Sequence, residues 1–506
     1  MKPKPKRQFI LLMTDTTRKD MLGCYGNTRM ATPNLDRLAS NGIRYEFAYT
    51  CQPVCGPARG AIFTGLNPHS NGVVTNCMPL GDNVKTLGQR LKDNGILAGY
   101  TGKWHLDGGD YFGLGRCPDG WDSETWYDMR NYLEEMDDES RMASRRSSSA
   151  YAGWPEAKCY AHRTVDHALK FIADHHADDF FLTVSLDEPH GPCLCPPEFV
   201  HLYDNFSFDD DSVFHDSLEN KPLLQKLWAG DAIAADPESL HSSSDMLSLF
   251  LGCNSYADYE LGRVIDAIDA SCPDAMVLYT SDHGDMLGAH RLQGKNAAFY
   301  KEITNIPFIV RDGRGSGSVV SSHPISHIDI CPTVLDFFGI PVPVIMEGKS
   351  ILDEIRNPSV RTNEYVFTEF TRYEVDHDGF GGLQMMRAVT DGRYKLSVNL
   401  MDSDEFYDLE TDPSEVNNLI NDDEYAEIRN RLHDILLDHM NSTRDPYRGY
   451  QWASRSWRPE HVPSWNNSGC TRQRENEEYE PRQLDYDTGL PMECSVRGKK
   501  LYDEKK

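Results

Sequence analysis

At 506 residues, with 39% hydrophobic and 26% charged side chains, the chain has an ordinary globular composition and can bury a large core, in one big α/β domain with an appendage or in two or three domains. A formal net charge of −28 argues against nucleic acid or an anionic membrane as partner, since both demand a basic surface. No stretch approaches the roughly 20 apolar residues that span a bilayer. The N-terminal apolar run at 9–13 is too short for a signal segment and leads to Asp15, and thirteen cysteines without framework spacing point to a reducing cytoplasm.

Short apolar runs alternate with helical patterns through the first two thirds, which predicts a large, mostly parallel sheet flanked by helices, an α/β fold. The predicted strands are Gln8–Met13, Ile96–Thr101, Phe180–Leu186, Ala275–Thr280 and Ile306–Val310. Each is almost continuously apolar, as in strands covered on both faces. Predicted helices are Asn34–Ser40, stopped by Asn41-Gly42; Thr86–Lys92, stopped by Asn94-Gly95; and His162–His175, Ser243–Ala270 and Ile328–Phe338. From about Asn363 the pattern changes to an antiparallel sheet, Val366–Phe370, Met386–Thr390 and Tyr394–Asn399, with a turn at Asp391-Gly392. Beyond it lie a helix at Tyr425–Met440 and a polar tail rich in Trp and Arg. The expected division is therefore a catalytic α/β domain over 1–360 and a smaller antiparallel subdomain over 361–506. Two charged stretches, Glu134–Ser149 and Asp209–Lys226, read as insertions or surface loops with solvated charges.

The residues just beyond each strand are chemically informative. Asp15 comes after the first; Lys103 and His105 after the second; Asp187, Glu188 and His190 after the third; Asp282 and His283 after the fourth. Ligands of open α/β sheets bind at the carboxyl ends of the strands. Singly, each residue reads as a helix cap or an ion pair; four such ends together point to one site. Asp15, Asp282 and His283 combine hard oxygen donors with an imidazole, a set suited to Ca²⁺, Mg²⁺ or Mn²⁺. Cys55 precedes Gly56-Pro57-Ala58-Arg59, and Pro57 belongs in the first turn of a helix. Cys55 is then expected at a helix N-terminus, where an anion is favoured. Read from the residues alone it is either a buried structural thiol or a nucleophilic thiolate. The spacings of Cys51 with Cys55, and of Cys193 with Cys195, are wrong for zinc.

Cys55-Gly-Pro-Ala-Arg59 resembles the Cys-x-Pro-x-Arg signature of type I, formylglycine-dependent sulfatases in the alkaline phosphatase superfamily. The resemblance runs in family order over roughly 8–440. It passes through Thr64-Gly65, Gly102-Lys103-Trp104-His105, Asp187-Glu188-Pro189-His190, Thr280-Ser281-Asp282-His283-Gly284 and Gln293-Gly294-Lys295. It continues through Asp391-Gly392-Arg393-Tyr394-Lys395 to Glu405-Phe406-Tyr407-Asp408-Leu409. The whole chain is similar to a group of bacterial sulfatases of uncharacterised substrate.

The resemblance implies an alkaline phosphatase-like fold and a maturation enzyme that oxidises Cys55 to formylglycine (3-oxoalanine). In the family the hydrated aldehyde attacks sulfur, forms a sulfo-enzyme and releases sulfate by C–O cleavage. Asp15, Asp282 and His283, with residue 55, would hold the divalent metal, Ca²⁺ first with Mg²⁺ or Mn²⁺ as alternatives. Arg59 would fix the diol, Lys103 and Lys295 would grip the sulfate, His105 would assist hemiacetal breakdown and His190 would protonate the leaving oxygen. Two departures stand out. Thr16 follows Asp15 where many relatives carry a second Asp, and His283 follows Asp282 where many carry Asn. This pattern looks more like the choline sulfatase and phosphonate monoester hydrolase branch, so phosphonate or phosphate ester hydrolysis is the rival reading; a silent binder of sulfated ligands is another. The segments Asn71–Asn76, Asp107–Asp110 and Arg372–Gly382 are expected to border the pocket, with His377 and Asp378 touching substrate. Their polar side chains suit a sugar's hydroxyls, so a small carbohydrate sulfate is the expected substrate, with an aryl sulfate as alternative.

Overall fold

The computed structural model describes residues 6–108, 110–206, 212–234, 243–313, 317–374 and 382–461. The first apolar run forms β1 (Gln8–Thr14), buried along its whole length. In chain order come β2 (Ile43–Tyr45), β3 (Ala48–Tyr49), β4 (Leu97–Gly102), β5 (Phe180–Ser185), β6 (Met276–Ser281), β7 (Phe308–Asp312), β8 (Val319–Ser321) and β9 (Ile325–Ser326). Seven of these make one sheet in the order β4-β5-β1-β6-β7-β2-β8, and β3 pairs separately with β9. The four strands β4, β5, β1 and β6 are parallel. β7 runs antiparallel to both β6 and β2. The connection from β6 to β7 holds only the short helical turns Ala289–Arg291 and Lys301–Thr304, not the long crossover helix that returns a strand in parallel.

Alternation along β1 shows why both faces must be covered. Ile10 and Leu12 enter a core with Val165, Ala168 and Phe171 of the helix Tyr160–His175 and Leu261, Val264 and Ile265 of the helix Ser243–Ser271. Phe9, Leu11 and Met13 enter the opposite core with Ile62 and Phe63 of the helix Cys55–Thr64, Leu87 and Leu91 of Leu87–Asp93, and Val334 and Leu335 of Ile330–Phe337. Each such fully buried side chain contributes about 1.5–3 kcal/mol, so a charge on either face of β1 would be costly.

Further along, β10 (Val366–Phe370), β11 (Met386–Thr390), β12 (Tyr394–Asn399) and β13 (Glu405–Asp408) form an antiparallel meander. The helix Ala426–Ser442 packs Leu432, Leu436 and Met440 against its Val389, Leu396, Val398 and Phe406. The five long strands expected of the main sheet are all present, within two residues at either end. The strands that sequence reading does not single out, β2, β3, β8, β9 and β13, are two to four residues long.

Both charged stretches need correction. Glu134–Ser149 is not a loop: it holds the helix Asp138–Ala143, capped by Asp137, and the start of Ser147–Ala152, with its charges in solvent. Asp209–Lys226, from residue 212 on, is solvated only in part, with Glu219 and Lys226 exposed. It buries Val213 and Leu218 together with Asp216, Lys221 and Gln225. The polar groups are tolerated because they are paired inside: Lys221 Nζ donates to Tyr407 Oη at 2.8 Å and Tyr300 Oη at 3.1 Å, and Tyr300 Oη to Gln225. Among the described residues no helix is long and apolar enough to cross a membrane.

Candidate active site

The parallel strands β1, β4, β5 and β6 finish on one edge of the sheet, and the residues just beyond them turn into the same space. The turns are tight. Gly102 has φ +108°, and a Cβ there would overlap the Ser185 carbonyl, so only glycine lets β4 deliver Lys103 beside β5. Thr16 and His105 also hold positive φ, 63° and 61°, an uncommon state for residues with a Cβ.

Cys55 opens the helix Cys55–Thr64, whose ten residues are all buried. One turn later on the same face, Arg59 points back into the site. Its Nε donates to Asp282 Oδ2 at 3.0 Å and its Nη2 to Asp15 Oδ2 at 3.3 Å; Nη1 donates to the Lys103 carbonyl at 2.6 Å and Ser185 Oγ at 2.8 Å. Lys103 Nζ adds an ion pair to the same Asp15 Oδ2 at 2.7 Å. Each carboxylate therefore has one oxygen bound by fixed cations, while the other faces inward.

The inward atoms form a four-point cluster. Cys55 Sγ lies 3.2 Å from His283 Nε2 and 3.7 Å from Asp15 Oδ1, and His283 Nε2 is 3.6 Å from Asp282 Oδ1. His283 Nδ1 faces the Gly284 carbonyl at 2.8 Å, which assigns the ring proton to Nδ1 and turns the Nε2 lone pair to the cluster. One donor atom from each of Asp15, Cys55, Asp282 and His283 lies within 4.8 Å of all the others. Two carboxylate oxygens and an imidazole nitrogen, oriented from behind, fit a divalent cation, which binds the ring in its neutral form; without an ion, burial pushes the His283 imidazole down but Asp282 overrides it and raises it. Thr16 is not a donor to it, because its hydroxyl donates to the Asp15 carbonyl at 2.6 Å.

Cations surround position 55. Lys295 Nζ is 2.8 Å and Lys103 Nζ 3.9 Å from Cys55 Sγ. Burial and the Asp15 charge push the thiol up, yet Lys103, Lys295 and His283 outweigh both and hold it down at about 5. Burial, with the Lys103 and Arg59 charges, drives His105 down to about 3. Its imidazole is therefore neutral, and among the described residues both its nitrogens are buried without a hydrogen-bond partner. His190 is half-buried, with its ring stacked on Tyr111 at 5.2 Å. Beside it a cleft of about 280 Å³ is lined by Lys295, Asp285, Gln293, Asn296, Tyr373 and Trp228, among others.

The residues taken from sequence thus fall on one edge of the sheet: Asp15, Cys55, Arg59, Lys103, Asp282, His283 and Lys295 in direct contact, His105 and His190 beside them. His377 and Asp378 lie outside the described residues. Four further participants have no role assigned from sequence, although Asp187 is already among the residues placed at the strand ends. Asn76 Oδ1 accepts the Gly56 amide at 2.8 Å, capping the helix that starts at Cys55; it ends a segment expected at the pocket. Asp187 pairs with Lys103 at 3.1 Å, and Tyr111 donates to Asp187. Tyr373 lines the cleft. Tyr373 falls in the segment Arg372–Gly382 expected to border the pocket, whereas Tyr111, one residue past Asp107–Asp110, sits in no motif and is revealed by the fold.

Buried lysines and an arginine-braced carboxylate pair around a helix N-terminus, at the carboxyl edge of a parallel sheet, define an anion-processing hydrolase site. The chain belongs to the sulfatase family: the family model described as Sulfatase matches residues 7–340, and one described as N-sulphoglucosamine sulphohydrolase, C-terminal, matches 288–442. It is a sulfuric ester hydrolase with the alkaline phosphatase-like fold. The uncharacterized sulfatase YidJ of Escherichia coli K12 is 41% identical over 495 residues, covering 96% of this chain and 97% of its own. The delta 4,5-hexuronate-2-O-sulfatase of Bacteroides thetaiotaomicron is 25% identical over 473 residues, covering 88% of this chain and 90% of its own. In fold, a protein solved in complex with its substrate D-glucosamine-2-N,6-O-disulfate matches with a TM-score of 0.72 at 20% identity, covering 88% of this chain and 99% of that one.

Proposed function

We propose that the chain cleaves a sulfate monoester carried by a carbohydrate, after a maturation enzyme has converted Cys55 to formylglycine. The observation that carries this reading is the convergence of Lys103, just beyond β4, and Lys295, from the connection between β6 and β7, on one atom at position 55. Cys55 Sγ stands where the mature residue presents an oxygen of its hydrated aldehyde. Two ammonium groups there can bind the non-bridging oxygens of a sulfate and stabilise charge that develops as the ester bond breaks. Arg59 and Asn76 fix the helix end that bears residue 55. His190, facing the cleft, protonates the leaving alcohol oxygen, and neutral His105 takes the proton from residue 55 when sulfate is expelled. Asp15, Asp282 and His283, with residue 55, would hold a divalent cation, Ca²⁺ first with Mg²⁺ and Mn²⁺ as alternatives. When bound, the cation supplies Lewis-acid charge and lowers the pKa of the hydrated aldehyde.

A carbohydrate is favoured by the cleft wall, where Asp285, Gln293, Asn296 and Tyr373 offer hydrogen bonds and Trp228 an aromatic surface. The names of the hexuronate-2-O-sulfatase and of the C-terminal family point the same way. His377 and Asp378 remain proposed substrate contacts. Mass spectrometry of the peptide carrying residue 55, from protein made in a maturation-competent host, should find formylglycine; only unmodified Cys in active enzyme would sink the mechanism. Turnover confined to apolar aryl or steroid sulfates would overturn the carbohydrate assignment. The second reading, phosphonate or phosphate ester hydrolysis, is favoured by Thr16, whose turned-away hydroxyl leaves only two carboxylates in the cluster. A kcat/KM for an aryl phosphonate above that for the matching aryl sulfate would establish it instead.

A further inference from the structure

A chain with net charge −28 must draw an anionic substrate through an unfavourable overall field, so exposed cations close to the site that lack internal partners carry information. The segment after Asp128 supplies them. Within it Arg130 pairs with Glu134, and Arg141 lies near Asp138 and donates to the Leu133 carbonyl. Arg145 and Arg146, at the end of the helix Asp138–Ala143, are exposed, and among the described residues neither makes an ion pair. Arg145 is placed with care. Its guanidinium lies 5.2 Å from the centre of the Tyr111 ring and 5.3 Å from that of Phe112.

Tyr111 is the link to the chemistry. Lys103 Nζ lies 4.5 Å from the same ring centre, His190 stacks on it, and its hydroxyl reaches Asp187. The same hydroxyl comes within 3.5 Å of the carbonyl of Gly191, a residue of the cleft wall. One aromatic ring therefore runs from the buried sulfate-gripping lysine to an exposed, uncompensated guanidinium. The two ring distances together put Arg145 under about 10 Å from Lys103 Nζ, a separation that neighbouring substituents on one or two sugar rings can span.

We propose that Arg145 forms a second anion subsite, so that the preferred substrate bears, besides the sulfate that is cleaved, another sulfate or a carboxylate. The inference rests on the carbohydrate reading above and deepens it. Arginine is suited to the task because its planar fork meets sulfate or carboxylate in two parallel hydrogen bonds while its flat face stays on the aromatic rings.

The test compares Arg145→Ala and Arg145→Lys with the unaltered, matured enzyme on a monosulfated hexosamine, the same sugar with a second sulfate, and 4-nitrophenyl sulfate. The expected result is a fall of about tenfold or more in the ratio of kcat/KM for the disulfated over the monosulfated sugar in Arg145→Ala, carried by KM. Arg145→Lys recovers part of it, and raising the salt narrows the difference. An equal loss on all three substrates would mean that Arg145 merely props Tyr111, and no change in the ratio would leave the subsite without support; either overturns the proposal. If the unaltered enzyme turns over no sugar sulfate, the carbohydrate reading fails by itself. The subsite is then read from competitive inhibition of aryl sulfate turnover by the disulfated sugar: a Ki about tenfold higher in Arg145→Ala supports it, and an unchanged Ki sinks it.

Discussion

Cys51 and Cys55 are four residues apart, both buried, and chemically opposite. Cys51 meets Ser326 Oγ at 3.2 Å and packs with Ala61 and Ile328, and burial pushes its thiol up to about 12. Cys55 meets two ammonium groups and is held at about 5. At pH 7 an unmodified residue 55 is therefore thiolate and residue 51 thiol, and only the thiolate is nucleophilic. In protein made without the maturation enzyme and stripped of metal, iodoacetamide should label Cys55 well before Cys51. The rate should drop as pH falls through about 5, and Lys295→Met should slow it by raising the thiol again. Equal labelling of the two cysteines, read by peptide mass spectrometry, would contradict the electrostatic account. In the matured enzyme the same lysine faces the substrate instead, and Lys295→Ala should lower kcat for an aryl sulfate by about 10²–10³-fold, the usual cost of losing one group that stabilises developing charge.

Elements were legible where they are long and uniformly apolar, because β1, β4, β5 and β6 must be buried on both faces and their polar successors then mark the sheet's edge. The short strands β2, β3, β8 and β9 carry too few residues for a period to show. Buried charge was least legible. Lys221 reads in sequence as one more solvated cation, and only the folded chain brings Tyr300 and Tyr407 to it. A second case joins the elements around the site. Glu369 of β10 accepts from the His69 amide at 2.6 Å and contacts His69 Nδ1 at 2.5 Å, while Arg387 of β11 lies 3.6 Å from it and donates to Asp445 at 2.7 Å. Burial raises the Glu369 carboxyl, but His69 and Arg387 override it and hold it down at about 2. A carboxyl depressed in the folded state stabilises the protein above its ordinary value near 4.5, and that contribution is lost as pH falls from there toward about 2. Glu369→Gln should therefore cost about 3–5 kcal/mol at pH 6, by leaving His69 and Arg387 short of a partner. Urea unfolding of the variant should also depend less on pH between about 4.5 and 2 than that of the unaltered chain; parallel pH profiles would show that Glu369 carries no such linkage.

At the scale of the molecule, the composition change near residue 360 marks the expected start of a smaller C-terminal subdomain, and its antiparallel sheet is tied closely to the residues before it. Phe370, Met386 and Ala388 share a core with Val54, Leu224, Ala297 and Phe299, next to the helix that begins at Cys55. The Glu369 amide donates to the Cys51 carbonyl at 2.8 Å, and Thr368 Oγ1 to the Thr50 carbonyl at 3.0 Å. Lys395 Nζ donates to the Phe299 carbonyl, and the Asn76 amide to that of Tyr373 at 3.0 Å. Such contacts join residues from 96 to 318 positions apart and leave no periodic trace, so texture alone could not reveal them. They predict that residues 1–360 do not fold alone. Cutting there strips the cover from Val54 and Phe299 and leaves the Thr50 and Cys51 carbonyls without their partners. It also removes Tyr407 and the Glu415 carbonyl from buried Lys221, and each stranded polar group costs about 1–3 kcal/mol. Against a total stability of about 5–15 kcal/mol, a few such losses are decisive. The 1–360 piece should be insoluble or lack a cooperative melt, and the full chain should unfold in one step by near-UV and far-UV circular dichroism alike. A soluble 1–360 piece that melts cooperatively and still binds the cation would show that the two halves are independent.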